Sequence, residues 1–455
     1  MTILASIAAF LVAIGLLVSV HEFGHYWVAK KLGFKVLRFS IGFGKPLWMR
    51  VGKDADRTEY CIAAIPLGGY VKLADERDGD LPPADLPRSF THRPIAHRIA
   101  VMLAGPAMNF VFAIVLYAIL AMIGTEVAKP VVGEVRPDGP AAQAGLRRGD
   151  TIVRVGEKAV ADTEELQIAL IRRFTDDGVI PLEVRRDGAD TSMSIRVTGD
   201  RRALTEPGRL LPGLGFDLAS WKAATKVASV PADSAGAKAG LHAGDQLLAV
   251  DGEPLANGSE FVAAVSRSAG HDISIDLERA GEHLRVTAAV PEVREQGRAI
   301  GRLGITVEEG ARTWPPGLIE LRRSGPLDAI VVGVAKTWEM SALTVEMLWR
   351  MASGQVSSKN ISGPISIAEF ASVSAFLGVG AYMGFLAIIS VSLGVLNLMP
   401  VPLLDGGQVL YQLVEAVKGS PLSERAQLYG QQVGIALLVV LMSLAFYNDI
   451  SRHLN

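Results

Sequence analysis

Apolar residues dominate four long stretches of the chain. They run roughly from 3 to 28, from 97 to 123, from 376 to 400 and from 430 to 447. A spanning helix needs about 20 predominantly apolar residues, so each stretch is long enough to cross a bilayer. Glycines interrupt the third stretch and a proline ends it, which predicts that this helix unwinds near its end. The pattern predicts a polytopic α-helical membrane protein with four transmembrane helices.

The first apolar stretch reads as a true span rather than a secretory signal. It has no Lys or Arg before Lys30, and no small-residue cleavage site is followed by a hydrophilic start. We therefore assign residues 1–30 to the first transmembrane segment.

Basic residues predict the orientation of the spans. Positions 1–29 contain none, whereas 30–57 are rich in Lys and Arg. The positive-inside rule then places the N-terminus outside and residues 31–96 in the cytoplasm. Residues 124–375 fall outside, so the inner ends of spans one and three share the cytoplasmic half of the membrane.

The region between spans two and three contains an internal repeat. Residues 135–155 (VRPDGPAAQAGLRRGDTIVRV) align without gaps on residues 230–250 (VPADSAGAKAGLHAGDQLLAV), at an offset of 95 residues and with nine identities in 21 positions. Each copy reads as a strand, a short Ala-rich helix, a Gly-Leu-x-x-Gly-Asp turn and another strand. A period of this length predicts two tandem small domains, a first repeat domain at 125–219 and a second repeat domain at 220–310.

The remaining segments complete the predicted layout. LRFSIGFGKPLWMR and YCIAAIPLGGYVKL combine alternating apolar residues with Gly and Pro, which predicts a membrane-associated β-hairpin region within 31–96. Residues 311–375 are expected to form extracytoplasmic surface helices. We place span two at 97–124, span three at 376–400, a cytoplasmic loop at 401–429 and span four at 430–448.

Composition narrows the possible functions. The 455 residues are 49% hydrophobic and 20% charged, a mixture that fits spans joined to soluble domains. A formal net charge of -2 provides no basic surface for nucleic acid. The one cysteine, Cys61, excludes an intrachain disulfide and any cysteine-rich metal site.

The inner end of the first span carries the sequence HEFGH at residues 21–25. Residues four apart on a helix lie one above the other, about 6 Å apart along the axis. His21 and His25 can therefore present ring nitrogens to one metal ion, with Glu22 beside them as general base for a metal-bound water. Zinc suits two imidazoles and needs at least one more protein ligand.

HEFGH could also be present without any chemical role. The His-Glu-x-x-His pattern arises by chance in roughly 1% of chains with this many histidines. Alternatively, His21 and His25 snorkel to the membrane interface. An ionisable residue at the centre of a span costs about 2.5–3.5 kcal/mol, so such residues usually have a function. The position of His21 and His25 within the span favours a metal site.

Asp405, in NLMPVPLLDGG (397–407), is the candidate third ligand. It follows the third span, on the side of the membrane to which HEFGH is also assigned. An Asp-Gly pair is usually only a turn. Unwound backbone inside a membrane is tolerated only where it lines a cavity, however, so a ligand role is favoured here.

These motifs together resemble the site-2 protease family (M50) of intramembrane zinc metalloproteases. The resemblance rests on HEFGH, NLMPVPLLDGG, a Gly-x-x-x-Asn in GPAMN (105–109) and repeats that resemble bacterial, circularly permuted PDZ domains. It covers nearly the whole chain. It implies a zinc metalloendopeptidase with one Zn²⁺ ion held by His21, His25 and Asp405, with Glu22 catalytic.

The resemblance also implies residues that adjoin the substrate. Asn397 would hold the substrate or its developing oxyanion, and Gly105 and Asn109 would pack span two close to the site. The alternatives are structural: Asn397 would satisfy broken helix backbone, and Gly105 with Asn109 would form a helix-packing notch.

The implied function is regulated intramembrane proteolysis in the bacterial inner membrane, as in a sigma-E type stress response. Substrates would be single-span proteins already trimmed by another protease, of the anti-sigma-factor type, and remnant signal peptides. The PDZ-like domains would be periplasmic and gate entry to a site in the cytoplasmic half of the membrane. A helix must unwind to be cleaved, and we expect the segment IPLGGYVKL, with Gly68 and Gly69, to bind it by β-addition. We expect a monomer surrounded by membrane lipid, without a nucleic-acid partner.

Two other functions are weighed against proteolysis. A catalytically inactive, membrane-tethered PDZ scaffold or chaperone would have no need of His21, Glu22, His25 and Asp405 together. A transporter with an intramembrane ion site is disfavoured by four spans without an inverted repeat and by a glutamate placed for base catalysis.

Overall fold

The computed structural model describes residues 3–79, 81–197, 201–220, 222–255, 257–295, 298–313 and 317–454. The chain divides into two compact units. The first comprises Met1–Thr125, Asp200–Leu210 and Leu321–Asn455, and the second comprises Glu126–Gly199 and Leu211–Glu320.

The helices and strands are labelled in chain order. The helices are α1 Ile3–Lys31, α2 Ile95–Ile123, α3 Pro140–Gln143, α4 Thr163–Asp177, α5 Arg201–Leu204, α6 Leu210–Leu214, α7 Ala235–Lys238, α8 Gly258–Arg267, α9 Pro326–Ala352, α10 Pro364–Leu377, α11 Val379–Asn397, α12 Asp405–Lys418 and α13 Glu424–Leu454. The strands are β1 Val36–Val51, β2 Glu59–Leu73, β3 Thr125–Ala128, β4 Val132–Val135, β5 Thr151–Val155, β6 Lys158–Ala159, β7 Val179–Arg186, β8 Ala189–Arg196, β9 Phe216–Leu218, β10 Lys222–Ser229, β11 Gln246–Val250, β12 Glu253–Pro254, β13 Asp272–Arg279, β14 Glu282–Ala289, β15 Glu292–Glu295, β16 Arg298–Gly301, β17 Thr306–Thr313 and β18 Ile319–Arg322.

Among the described residues, four helices are long and apolar enough to cross a membrane, as the sequence predicts. The qualifying segments are Ser6–Lys31, Ile95–Ile123, Val379–Asn397 and Arg425–Arg452. The third is shorter than the predicted 376–400, because the backbone leaves helical geometry at Gly378, whose φ is 113°. The residues before it belong to α10, and α11 ends at Asn397, before Pro400 and Pro402.

The segment 311–375, predicted as surface helices, begins instead with the end of β17 and with β18; α9 and α10 follow, α10 extends two residues beyond the segment, and both helices pack on spanning helices. A Cβ on Gly333 of α9 would lie 2.5 Å from the carbonyl oxygen of Ile114 in α2, so the two backbones approach closely. The Ser6 hydroxyl of α1 donates a hydrogen bond to the Ser372 hydroxyl of α10, at 2.9 Å. The prediction of surface helices did not include these contacts, because hydropathy alone does not report which neighbour a helix packs on.

Strands β1 and β2 form the predicted β region. Phe39 in the first half of β1 pairs with both Tyr60 and Val71, so this half lies between the two halves of β2. The second half of β1 pairs with residues 59–63. One edge of the sheet is therefore formed by residues 69–73, and no strand of the described chain pairs with the outer side of that edge.

The hairpin also exposes apolar side chains. Leu47, Trp48 and Phe43 are 74%, 51% and 43% exposed. Such a cluster is expected on a surface that contacts membrane rather than water.

The second unit contains the two repeat domains, except for Thr125 and residues 200–210 of the first domain, which belong to the first unit. Their elements recur at the offset of 95 residues found in the sequence: α3 and α7, β5 and β11, and α4 and α8. In the first domain the strand order is β6-β5-β7-β8, with β4 paired to β9. In the second it is β14-β13-β11-β10-β17, with β12 paired to β11. In both domains the longer helix buries its apolar side chains: Leu166, Leu170 and Phe174 of α4 and Phe261 of α8 are at most 2% exposed.

The shared Gly-Leu-x-x-Gly-Asp turn owes its glycines to backbone geometry. Gly145 and Gly149 have φ of 88° and 91°, and Gly240 and Gly244 have φ of 83° and 93°. Only glycine adopts such values without strain. This geometry accounts for two of the nine identities between the copies, and the Leu and Asp of the same turn are two more.

The aspartate of each turn forms an ion pair with an arginine from a strand of the same domain. Arg186 donates to both oxygens of Asp150, each at 2.7 Å, and Arg279 does the same to Asp245 at 2.7 Å. Burial raises the pKa of the Asp150 carboxyl, but the guanidinium and the Arg147 amide more than offset this, so its pKa lies below the usual value. These ion pairs stabilise the turns, and their repetition supports a common fold for the two domains.

Candidate metal centre

Three predicted ligand residues meet in one place. The ligand atoms of His21, His25 and Asp405 all lie within 4.8 Å of one another. The Oδ2 of Asp405 lies 3.1 Å from Nε2 of His21 and 3.5 Å from Nε2 of His25, and the two Nε2 atoms are 3.1 Å apart. Helix α1 supplies both histidines, and the N-terminus of α12 supplies the aspartate, 380 residues further along the chain than His25.

The donor set fits a divalent metal. The Oδ2 of Asp405 is buried and has no hydrogen-bond partner among the described residues, although two ring nitrogens surround it. Two ring nitrogens and a carboxylate oxygen that converge on one point are the arrangement that a cation satisfies. Two imidazoles and one carboxylate are a ligand set typical of a catalytic zinc site.

The glycines after Asp405 fix its position. A Cβ on Gly406 would lie 2.3 Å from the carbonyl oxygen of Leu398, and one on Gly407 would lie 2.1 Å from that of Val401. The start of α12 therefore packs directly on the backbone of the loop that follows α11. This explains in physical terms why the aspartate is followed by two glycines.

Helix α2 lies against both histidines. A Cβ on Gly105 would lie 2.3 Å from Nε2 of His25 and 2.7 Å from Cε1 of His21. Any side chain at position 105 would displace the rings. Gly24, between the two histidines, has the matching role on α1, since its Cβ would lie 2.3 Å from the carbonyl oxygen of Ala104. Sequence reasoning missed Gly24, for which the only signal was a small residue within HEFGH.

Val101 and Asn109 of α2 contact the other ring nitrogens. The Nδ1 of His25 lies 2.7 Å from the carbonyl oxygen of Val101, to which it donates. The Nδ1 of His21 lies 3.1 Å from Nδ2 of Asn109. The structure thus places Gly105 and Asn109 beside the histidines, and it leaves their predicted part in substrate binding untested.

Glu22 lies next to the β region. Gly69 of β2 approaches it so closely that a Cβ there would lie 2.9 Å from Cγ of Glu22, and the backbone N–H of Val71 is a hydrogen-bond neighbour of the carboxylate. Glu22 also adjoins His21 in sequence and lies three residues before His25 on the same helix. Glu22, the candidate base, therefore lies beside both the metal centre and the free edge of β2.

Two further predicted residues lie at the end of α11 and within β2. Asn397 is the last residue of α11 and is half-buried. Gly68 has a φ of 154°, and a Cβ there would lie 2.2 Å from the ring of Phe43.

An ion pair that the sequence analysis missed ties α12 to α2. The guanidinium of Arg98 donates to both carboxylate oxygens of Glu415, at 3.1 and 2.6 Å, and the two side chains are 8% and 16% exposed. Buried bidentate pairs of this kind are geometrically specific. Nothing in the sequence links two residues so far apart, so only the fold reveals this contact.

The sequence profile of peptidase family M50 matches residues 9–441, which include all three candidate ligands. The chain belongs to peptidase family M50. Membership identifies this membrane protein as a metalloprotease of the site-2 protease type, as the motifs predicted.

This M50 peptidase also has full-length relatives. It is 40% identical over 455 residues to the regulator of sigma-E protease RseP of Escherichia coli strain K12, covering 99% of this chain and 100% of that one. It is 40% identical over 454 residues to RseP of Salmonella typhimurium, again covering 99% and 100%. Protease RseP of Yersinia pestis is 41% identical over 460 residues, with the same coverage.

One solved structure resembles a small part of this M50 peptidase. The PDZ domain of an SdrC-like protein from Listeria monocytogenes is 24% identical and covers 18% of this chain and 86% of its own, with a TM-score of 0.17. That score is too low to assign a fold to the repeat domains.

Proposed function

We propose that this protein is a zinc metalloendopeptidase that cleaves a peptide bond within the transmembrane segment of single-span membrane proteins. The observation that carries the proposal is the convergence of His21, His25 and Asp405 within 4.8 Å. Glu22 adjoins this cluster on the same helix, at the inner end of a span. A hydrolytic site in a spanning segment is useful only for a substrate that lies in the membrane too.

The residues divide the chemistry between them. His21, His25 and Asp405 would hold zinc, which when bound activates water and polarises the scissile carbonyl. Glu22 takes a proton from the attacking water and gives it to the leaving amine, so that a C–O bond forms as the C–N bond breaks. Asn397, at the unwound end of α11, would hold the substrate or the developing oxyanion.

The free edge of β2 would hold the substrate as an added strand. Residues 69–73 have no strand partner on their outer side among the described residues, and Gly69 lies against Glu22. A peptide that extends this sheet would expose its amide groups beside the catalytic base. Gly68 and Gly69 keep this edge free of side chains that would contact Phe43 or Glu22.

This substrate-binding mode is best tested on the substrate. Proline at Gly68 or Gly69 would clash with Phe43 or Glu22 even without substrate, so such variants do not isolate strand addition. A model transmembrane peptide should instead be N-methylated at successive positions near the cut site. Strand addition predicts slow cleavage at alternate positions, since strand hydrogen bonds to one neighbour have a period of two. Matched peptides with side chains removed by glycine substitution serve as controls, and equal effects at all N-methylated positions would exclude the mode.

The domain layout supports a selective substrate class. We propose that the repeat domains are tandem, circularly permuted PDZ domains on the periplasmic side, where they admit only proteins already trimmed by another protease. The relatives are named regulator of sigma-E protease, and this name supports an anti-sigma-factor type of substrate. Remnant signal peptides are a second proposed class. The active site would lie in the cytoplasmic half of the inner membrane, and the enzyme would act as a monomer.

The proposed function is tested directly with purified full-length protein in lipid vesicles. We expect it to cleave a single-span model peptide within its apolar segment, to lose activity after chelation and to regain it with added zinc. Cleavage that survives complete metal removal, or zinc binding without any cleavage of several such peptides, would contradict the proposal. The second result would favour a membrane-tethered scaffold.

A further inference from the structure

Both imidazoles of the metal centre have their second ring nitrogen against the same helix. Val101, Gly105 and Asn109 are spaced four residues apart on α2, so they lie along one face of that helix. Val101 reaches His25 through its carbonyl oxygen, Gly105 leaves room for both rings, and Asn109 reaches His21 through its side chain. This face of α2 thus forms the wall that orients both candidate ligands.

We propose that the side-chain oxygen of Asn109 accepts the Nδ1–H of His21, and so presets the tautomer that directs the Nε2 lone pair toward the metal. The inference rests on the proposed function, since it assumes the metal site described above. It assigns Asn109 as a positioning residue that acts through His21, rather than as a contact of the substrate.

The chemistry of the ring requires an acceptor at this place. Nε2 of His21 points at Asp405 and at Nε2 of His25, so it must be unprotonated to bind a cation there. A neutral imidazole with a free Nε2 carries its proton on Nδ1. Metal-binding histidines nearly always donate this second N–H to a carbonyl, a carboxylate or water. His25 already does so, to Val101.

Asn109 supplies the acceptor by rotation of its amide. The atom drawn at 3.1 Å from Nδ1 is Nδ2, but the oxygen and nitrogen of a side-chain amide exchange places on a half-turn and are assigned from their partners. The Oδ1 of Asn109 is buried and has no hydrogen-bond partner among the described residues. No hydrogen bond therefore holds this oxygen in the orientation that faces away from His21. With the oxygen toward His21, the ring donates and its Nε2 is left free.

The backbone of Asn109 is held independently. Ser390 of α11 donates its hydroxyl to the carbonyl oxygen of Asn109, at 2.8 Å, and both residues are 0% exposed. This bond fixes the position of the Asn109 backbone on α2, but it does not involve the side-chain amide. The two contacts can therefore be separated by mutation.

The first test needs no variant. In metal-free wild-type protein with nitrogen-labelled histidine, at a pH where the imidazoles are neutral, nuclear magnetic resonance distinguishes a protonated from an unprotonated ring nitrogen. We expect His21 to carry its proton on Nδ1, in the tautomer that Asn109 presets. A proton on Nε2 of His21 would overturn the proposal.

The second test compares zinc affinities, measured by competition with a chelator, in three variants. Asn109→Leu keeps the branched shape and the number of side-chain heavy atoms but removes the acceptor, and loss of such an outer contact typically weakens metal affinity by about 10–100-fold. Asn109→Asp keeps an acceptor oxygen and is expected to retain wild-type affinity. Ser390→Ala keeps the amide and should also bind zinc normally.

The outcomes separate this proposal from the function on which it rests. Equal affinities in Asn109→Leu and wild type would overturn the role of Asn109, as would an equal loss in Asn109→Leu and Ser390→Ala, which would indicate helix packing. Wild-type protein that binds no zinc at all would instead contradict the proposed function. The tautomer of His21 in the metal-free protein would still decide the inference.

Discussion

Replacing Glu22 with Gln is expected to lower cleavage of a model transmembrane peptide by roughly 10²–10⁴-fold, the usual contribution of a general base. Glutamine has nearly the same shape but cannot accept the proton of the attacking water. Bound zinc should stay at the wild-type amount, because Glu22 is not among the three residues whose ligand atoms converge. The measurements are single-turnover cleavage and metal content of the same purified sample.

A matched control makes the same chemical change elsewhere. Glu76→Gln alters an exposed carboxylate in the segment that joins β2 to α2, and it should leave both cleavage and zinc unchanged. If Glu22→Gln cleaves as fast as wild type, proton transfer belongs to another group. If it cleaves slowly because zinc is lost, Glu22 is a ligand rather than the base.

Replacing Asp405 with Ala is expected to remove both zinc and activity. The variant leaves two imidazoles, and catalytic zinc sites use three protein ligands. The helices should still assemble, because α12 is also held by the Arg98–Glu415 ion pair and by the close approach of Gly407 to Val401. Metal analysis and thermal unfolding of the same sample separate loss of zinc from loss of fold.

The control for this prediction is Asp138→Ala, which removes an exposed carboxylate from the first repeat domain. It should bind zinc and cleave as wild type does. Full zinc content in Asp405→Ala would mean that the third ligand lies elsewhere, and the convergence of these side chains would then have another purpose.

The main elements of the fold follow from local patterns. Long apolar runs determined the four spanning helices, and alternation with glycine and proline indicated β1 and β2. The repeat was visible because its turn needs glycine at positive φ and an aspartate for an arginine partner, and both requirements constrain the residue type. The close packing of α9 on α2 was not predictable, since it depends on which small residues face each other across helices.

The candidate site was predictable only in its parts. HEFGH places two imidazoles on one helix face by spacing alone, and the turn after the third span marked Asp405. The contacts of α2 were less visible. The role of Val101 is carried by a backbone carbonyl, which any residue type supplies, and the partner of Arg98 lies 317 positions away. Such contacts are set by tertiary structure and leave no local signal.

The proposed mechanism depends on one zinc ion bound by His21, His25 and Asp405. X-ray absorption spectroscopy at the zinc edge reports the atoms bound to that ion directly. For zinc-loaded wild-type protein we expect two imidazole nitrogens at about 2.0–2.1 Å and only oxygen or nitrogen in the remaining positions. Fewer than two imidazoles, or a sulfur at about 2.3 Å from Cys61, would contradict it.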